Sequence, residues 1–153
     1  MPVLTVKAYL SSAGAILAAT AAIKVASVFG VAPILDALDP LFHLRMRLLL
    51  LLVAASELVA ATIIFSARSP VMGATACATM GAEFILYRTA ARLMGERHCP
   101  CLGTVTQWLR IDDARVVGLL WATAAYLFAG GLLVLYQHQR QSKARPATGR
   151  VEG

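Results

Sequence analysis

The chain has 153 residues, of which 59% are hydrophobic and 14% are charged, and its formal net charge is +6. A soluble globular domain is about a quarter charged, so this composition, with a mean hydropathy of +0.71, excludes an ordinary soluble domain and predicts a membrane protein in contact with lipid. The basic residues are scattered over predicted loops and the C-terminal tail, with no folded patch to gather them, so the positive charge predicts no nucleic-acid binding.

Four apolar stretches predict transmembrane helices at residues 8–31, 46–66, 70–93 and 116–136. Each is near or above the ~20 residues that a helix needs to cross a bilayer. The connections are short and no barrel-like alternation occurs, so we expect an all-α, integral-membrane bundle of four antiparallel helices. We expect residues 1–136 to form this one domain, with a retained first helix, and residues 137–153 to form a disordered basic tail.

Local signals mark several helix ends and the orientation of the bundle. Ser69 before Pro70 predicts an N-cap with proline in the first turn, and Asp112 and Asp113 place carboxylates at the start of the fourth helix. Six lysines and arginines lie on the side of the termini and five on the opposite side. The dense basic tail favours cytoplasmic termini, so the loop between the third and fourth helices should face the outside.

Small residues on the third helix predict where it packs against its neighbours. Gly73, Cys77 and Gly81 recur at four-residue spacing. Lipid gives helices no hydrophobic reason to associate, and small residues allow the close approach that membrane helices need instead. We therefore expect Cys77 to be a small packing residue.

Ionisable residues within the predicted spans form a candidate intramembrane cluster of Lys24, Glu57 and Glu83. Each mid-membrane charge costs about 2.5–3.5 kcal/mol on insertion scales, so we expect pairing. Helix rise places Glu57 and Glu83 about 15 Å, and Lys24 about 9 Å, from the same side of the membrane. Tyr87 shares a helix face with Glu83, within reach of a hydrogen bond. Two interpretations remain open: a structural ion pair, or a proton relay or contact with a polar cofactor.

One polar loop carries the thiols, in the sequence Arg97-His98-Cys99-Pro100-Cys101-Leu102-Gly103. A Cys99–Cys101 disulfide closes a ring of about eleven atoms, and such a strained bond is suited to exchange. Arg97 and His98 favour the thiolate that attacks. A Cu(I) site formed by Cys99, Cys101, His98 and Met94 is one alternative, and a permanent bridge or idle thiols is another. Redox exchange is the interpretation that we favour.

These features together resemble a known family of membrane proteins. A lysine late in the first helix, a glutamate in the second, and a third helix leading into a Cys-x-Cys-x-Gly loop are shared features, carried here by Lys24, Glu57 and Cys99 to Gly103. Over about residues 10–136 the chain resembles the methylamine-utilisation protein MauE and the wider DoxX-like redox-associated membrane proteins. Pro100 and Leu102 depart from the usual Cys-Gly-Cys-Phe-Gly loop of that family.

The resemblance implies a multi-pass protein of the bacterial inner membrane with a periplasmic cysteine loop. For the namesake it also implies a role in maturing the disulfide-rich small subunit of periplasmic methylamine dehydrogenase, and hence in amine metabolism. We therefore expect a thiol–disulfide relay, with oxidoreductase activity through Cys99 and Cys101 and a periplasmic client protein. No cofactor is evident in the sequence, although a quinone, a haem or a partner's thiols would be needed to complete the relay.

An alternative function uses the charged cluster instead of the thiols. In that hypothesis the chain is a non-catalytic assembly factor or a small-solute transporter built on Lys24, Glu57 and Glu83.

Overall fold

The computed structural model describes residues 3–30, 33–95 and 113–144. Within them lie four α-helices, α1 (Val3–Val28), α2 (Met46–Ser66), α3 (Pro70–Leu93) and α4 (Asp113–Ala144), and a short 3-10 helix (Pro33–Asp36). Among the same residues the only β-type pairing is an isolated bridge between Leu38 and Arg45. The all-α helical bundle predicted from the sequence is confirmed.

Three of the helices in the described ranges are long and apolar enough to cross a membrane: Thr5–Val28, Met46–Ser66 and Arg115–Lys143. Large apolar side chains on their outer faces are exposed, including Leu52, Val59 and Leu119. A bundle that is apolar on the outside fits lipid as its surroundings. Helix α3 is also long enough, with 24 residues, but its charged side chains lower its hydropathy, and it is not among the three.

The helix ends agree with the sequence prediction in the middle of the chain and differ at its two ends. Helices α2 and α3 have the predicted bounds, and Ser69 caps α3 by accepting a hydrogen bond from the Val71 amide at 3.3 Å. Helix α1 begins at Val3 and ends at Val28, rather than spanning 8–31. Helix α4 runs from Asp113 to Ala144, rather than spanning 116–136.

The prediction of a disordered tail from residue 137 is therefore wrong for residues 137–144, which continue α4. This segment is rich in good helix formers such as Gln, Arg, Lys and Ala. It contains no proline or glycine, and the first proline after it is Pro146. The apolar surface of α4 stops where the residues become polar, but no residue in segment 137–144 is of a type that stops a helix. Residues 145–153 lie outside the described residues.

Successive contacts show that neighbouring helices run antiparallel. From one end of α1 to the other, Gly14 lies against Ile64, Lys24 against Glu57, and Val28 against Arg47. Helix α3 packs in the same manner on α4, and these two pairs have the largest helix interfaces. We call the end where α1 and α3 finish and α2 and α4 begin the Leu93 end of the bundle.

The small-residue stripe of α3 packs as predicted. Gly81 lies against the backbone of Phe128, and Gly73 against the side chain of Leu10. Cys77 between them is fully buried in a core cluster that includes Leu17 and Leu127. Close approach of α3 and α4 therefore depends on positions that have little or no side chain.

A folded connection covers the Leu93 end between α1 and α2. Arg47 donates a hydrogen bond from Nη1 to the Val28 carbonyl at 2.9 Å, which satisfies one free carbonyl at the end of α1. The carboxylate of Asp39 accepts hydrogen bonds from the amides of Leu41 and Phe42 at 3.0 and 2.9 Å. These local bonds fold the connection into a tight turn, because an aspartate side chain can replace backbone partners there.

The glycine contact between α3 and α4 generates a test of the fold. A Cβ at Gly81 would lie 2.5 Å from the Phe128 backbone nitrogen, so Gly81→Ala should lower the free energy of unfolding by roughly 1–3 kcal/mol. The control is Gly118→Ala in α4, where no atom of the described residues lies within 4 Å of the added Cβ and a gain of up to about 1 kcal/mol is expected. Denaturant unfolding in mixed micelles measures both, and equal effects would contradict this packing.

Candidate functional site

A buried ion pair joins α1 to α2. Lys24 Nζ donates a hydrogen bond to Glu57 Oε1 at 2.6 Å, and the two residues are only 4% and 0% exposed. Alanines at positions 21 and 54, one turn from each charged residue, are buried on the same helix faces. Their small size brings the helices close enough for the two long side chains to meet inside the bundle.

The second oxygen of Glu57 is unusual. Oε2 is buried and has no hydrogen-bond partner among the described residues. Thr20 lies beside this carboxyl, but its hydroxyl donates a hydrogen bond to the Leu17 carbonyl at 3.0 Å. A buried acceptor without a donor costs about 1–3 kcal/mol, more when it is charged. The ion pair therefore leaves one strong acceptor unsatisfied.

Helix α3 reaches the same place through an aromatic ring. The ring centroid of Phe84 lies 5.7 Å from Lys24 Nζ, within the range of a cation–π interaction. The lysine thus contacts the carboxylate of α2 and the ring of α3. Three helices converge at one buried cation.

A cavity of about 390 Å³ adjoins this ion pair. Lys24 and Glu57 form part of its wall, and the remaining wall is almost entirely apolar. Its apolar side chains include Leu17, Phe42, Met46, Leu49, Val53 and Phe84. Its lining comes from all four helices and from Phe42 of the connection, so it lies in the half of the bundle toward the Leu93 end. A concave, mostly apolar space with a few polar groups is the usual form of a small-molecule site.

Glu83 borders the cavity but does not join the ion pair. Its side chain is exposed, and within the described ranges it makes no ion pair within 4.0 Å. The structure therefore brings Lys24 and Glu57 into direct contact and places Glu83 elsewhere on the same wall. The exposed Glu83 carboxylate at the edge of the cavity can affect which ligands enter it, although it does not pair with Lys24.

Tyr87 has a different partner from the one that the sequence suggested. Its hydroxyl donates a hydrogen bond to Asp39 Oδ2 at 2.6 Å, and not to Glu83. Its ring stacks on that of Phe42, with centroids 6.2 Å apart and planes at 7°. Asp39, 1% exposed, ties the connection to α3 above the cavity. Sequence reasoning did not include Asp39 in the site, although an aspartate directly before a proline, as in Asp39-Pro40, is a sequence signal for a turn.

The predicted redox residues Arg97, His98, Cys99 and Cys101 lie outside the described residues. Helix α3 ends at Leu93 and α4 begins at Asp113, so the connection that carries these residues starts and finishes at the Leu93 end. Among the described residues no group of three or more His, Cys, Asp or Glu side chains could hold a metal ion. The copper alternative rests on residues outside those ranges, apart from Met94, which is exposed.

Comparisons with protein-family models, curated proteins and solved structures find no match to this chain. The similarity to MauE and the DoxX-like proteins therefore stays a prediction from the residues that carry it.

The ion pair generates a stability prediction. Glu57→Ala leaves Lys24 buried without its carboxylate, which should cost about 3–5 kcal/mol of unfolding free energy. Glu83→Ala removes an exposed carboxylate from the same cavity wall and should cost far less. The double variant Lys24→Met with Glu57→Leu should recover most of the loss, since it removes both charges. Denaturant titration in micelles measures all three, and equal effects of Glu57→Ala and Glu83→Ala would refute a buried pair.

Proposed function

We propose that this protein is a membrane thiol–disulfide redox component of the bacterial inner membrane, similar to MauE and the DoxX-like proteins. Cys99 and Cys101 are the exchanging pair, and a periplasmic disulfide-containing protein is the client. The observation that carries the proposal is the Cys-x-Cys motif in a connection that starts and finishes at the Leu93 end of a membrane bundle. Thiols at a membrane end are accessible to a water-soluble client, whereas thiols inside the bundle are not.

Thiol–disulfide exchange through this pair balances in atoms and electrons, and it needs no other reaction at the client protein. A thiolate of one partner attacks the disulfide of the other, a mixed disulfide forms, and the displaced sulfur leaves as a thiolate. The second thiol of the attacking partner then resolves the mixed disulfide, so two electrons move from one partner to the other. Arg97 and His98 stabilise the thiolate form that this attack requires.

Cys77 is a poor candidate for a second redox thiol. It is fully buried, and it lies 16 residues before Leu93, or about 24 Å along α3. Direct exchange requires the sulfurs to form a bond, so a thiol at that depth cannot serve a loop beyond Leu93 without unfolding of the helix. The electrons must therefore pass to a cofactor or to a partner's thiols.

The cavity suits a quinone, together with its reduced quinol form, better than a haem as that cofactor. Among the described residues that line it there is no histidine or cysteine, which are frequent axial ligands of haem iron. Met46 and Tyr87, which could also ligate iron, are held in a core cluster and in the hydrogen bond to Asp39. The apolar wall with the rings of Phe42, Phe84 and Tyr87 suits a flat, lipid-soluble ring. A partner protein that supplies a second thiol pair would fill the same role.

A second candidate function follows from the ion pair itself. A non-catalytic assembly factor or small-solute transporter would use the Lys24–Glu57 pair and Glu83 at the cavity wall. Ionisable side chains within membrane helices often mark solute and proton pathways, and this supports the second candidate. If this alternative is correct, the Lys24→Met, Glu57→Leu double variant should fail to support growth under conditions that require the protein. The Cys99→Ser, Cys101→Ser double variant should support growth normally.

The redox proposal predicts a trapped intermediate. Cys99 is nearer to Arg97 and His98, so we expect it to attack or be attacked first, with Cys101 as the resolving thiol. Cys101→Ser should then accumulate a higher-mass adduct that reductant releases, seen on non-reducing gels of native membranes, whereas Cys99→Ser should not. Cys77→Ser is the control, because its thiol is buried, and it should behave as the wild type.

Two results decide this experiment. An adduct seen only in Cys99→Ser keeps the redox function and reverses the roles of the two thiols. The redox function is wrong if no adduct forms in either variant and the double Cys99→Ser, Cys101→Ser variant supports normal growth under conditions that require the protein.

A further inference from the structure

The cavity next to Lys24 and Glu57 has a chemical character that narrows what it can bind. Two cationic and two anionic side chains line it: Lys24, Arg88, Glu57 and Glu83. Their formal charges cancel, so the site has no net charge with which to attract an ionic ligand. The rest of the wall is overwhelmingly apolar, and burying an ion there would be costly. A neutral, lipophilic ligand is the class that fits.

The unsatisfied oxygen of Glu57 adds a requirement for a hydrogen-bond donor. Oε1 already accepts from Lys24, while Oε2 is buried without a partner in the described part of the chain. Glu57 is itself part of the cavity wall, and because Oε2 has almost no accessible surface, a ligand reaches it only when side chains of the wall shift. A ligand hydroxyl that donates to Oε2 would remove the cost of this orphan acceptor, and a hydrogen bond to a charged group is among the stronger ones.

Aromatic side chains indicate the shape of the apolar part. Phe84 lies beside the lysine, and the stacked pair of Phe42 and Tyr87 borders the same space. Aromatic rings pack favourably on other flat rings in offset or edge-to-face arrangements. A ring that carries a hydroxyl would meet both the apolar wall and the acceptor.

We propose that this cavity is a binding site for a neutral lipophilic phenol, whose hydroxyl donates a hydrogen bond to Glu57 Oε2 while its ring and alkyl part lie against Phe84 and Val53. Binding at this site needs neither Cys99 nor Cys101, so this inference is tested separately from the thiol function. A quinol, the reduced form of a quinone, belongs to this class of phenols.

The test compares two probes of the same ring and alkyl chain, in one of which a methyl group replaces the hydroxyl proton. Binding of 4-hexylphenol and of its methyl ether, 4-hexylanisole, is measured on the full chain in detergent micelles by the shift in thermal unfolding midpoint against probe concentration. The phenol should bind about 10-fold more tightly or better, because the ether has lost the proton that Oε2 accepts. Empty micelles are titrated with each probe to correct for partitioning into detergent.

Matched variants on α2 separate the cavity from the lipid-facing surface. Val53→Phe fills the cavity from a half-buried position and should abolish binding of 4-hexylphenol. Val59→Phe makes the same change at a position that is 60% exposed and does not line the cavity, so it should bind as the wild type does.

A further variant tests the acceptor itself. Glu57→Gln keeps the shape but provides an amide, whose oxygen can accept from Lys24 while its N–H group takes the place of Oε2. The preference for the phenol over the ether should then fall to about equal binding. A size-exclusion profile and circular dichroism spectrum like those of the wild type establish that the variant is folded; if it is not, the Val53→Phe and Val59→Phe pair decides the question.

Equal affinity of the wild type for both probes would overturn the proposal, and so would the absence of saturable phenol binding. Unchanged binding in Val53→Phe would overturn it as well, because the probe would then lie outside the cavity. None of these results changes what the trapping experiment on Cys99 and Cys101 shows, because that experiment tests the thiol function separately.

Discussion

Lys24 and Glu57 form an ion pair inside the bundle, and this pair fixes how α1, α2 and α3 are arranged. Neither charge can face lipid or an apolar core alone, so the two helices that carry them must be neighbours at one register. Small residues on both helices permit the approach, and Phe84 places α3 against the same cation. The lipid-facing surface of the bundle is less specific, because one apolar side chain there can replace another.

The cavity is a consequence of how this pair is accommodated. Two long side chains meet between helices whose neighbouring positions are small, and the described side chains that cover Glu57 Oε2 offer it no hydrogen-bond donor. The connection after α1 covers one side of this space, held to α3 by the bond from Tyr87 to Asp39. A buried acceptor beside an apolar cavity is a feature of binding sites more than of well-packed cores, and the proposed phenol site depends on it.

The sequence predicted the parts of this structure that follow from local chemistry. The bounds of α2 and α3 follow from apolar length and from Ser69 and Pro70, and helix rise alone placed Lys24 and Glu57 at compatible depths. The Tyr87–Asp39 bond was not predictable, since periodicity does not say how a turn folds back on a helix. The end of α4 was placed too early because hydropathy marks the edge of the apolar surface, while helix propensity determines where the helix stops.

Infrared difference spectroscopy of Glu57 in lipid vesicles tests the ion pair most directly. Subtracting the spectrum of Glu57→Gln from that of the wild type isolates this one carboxyl group, and we expect the band of an ionised carboxylate. The same subtraction in a Lys24→Met background should give the carbonyl band of a carboxylic acid, because a buried carboxylate without its cation takes up a proton. An acid band already present with Lys24 in place, or a carboxylate band that Lys24→Met leaves unchanged, would contradict a buried Lys24–Glu57 ion pair.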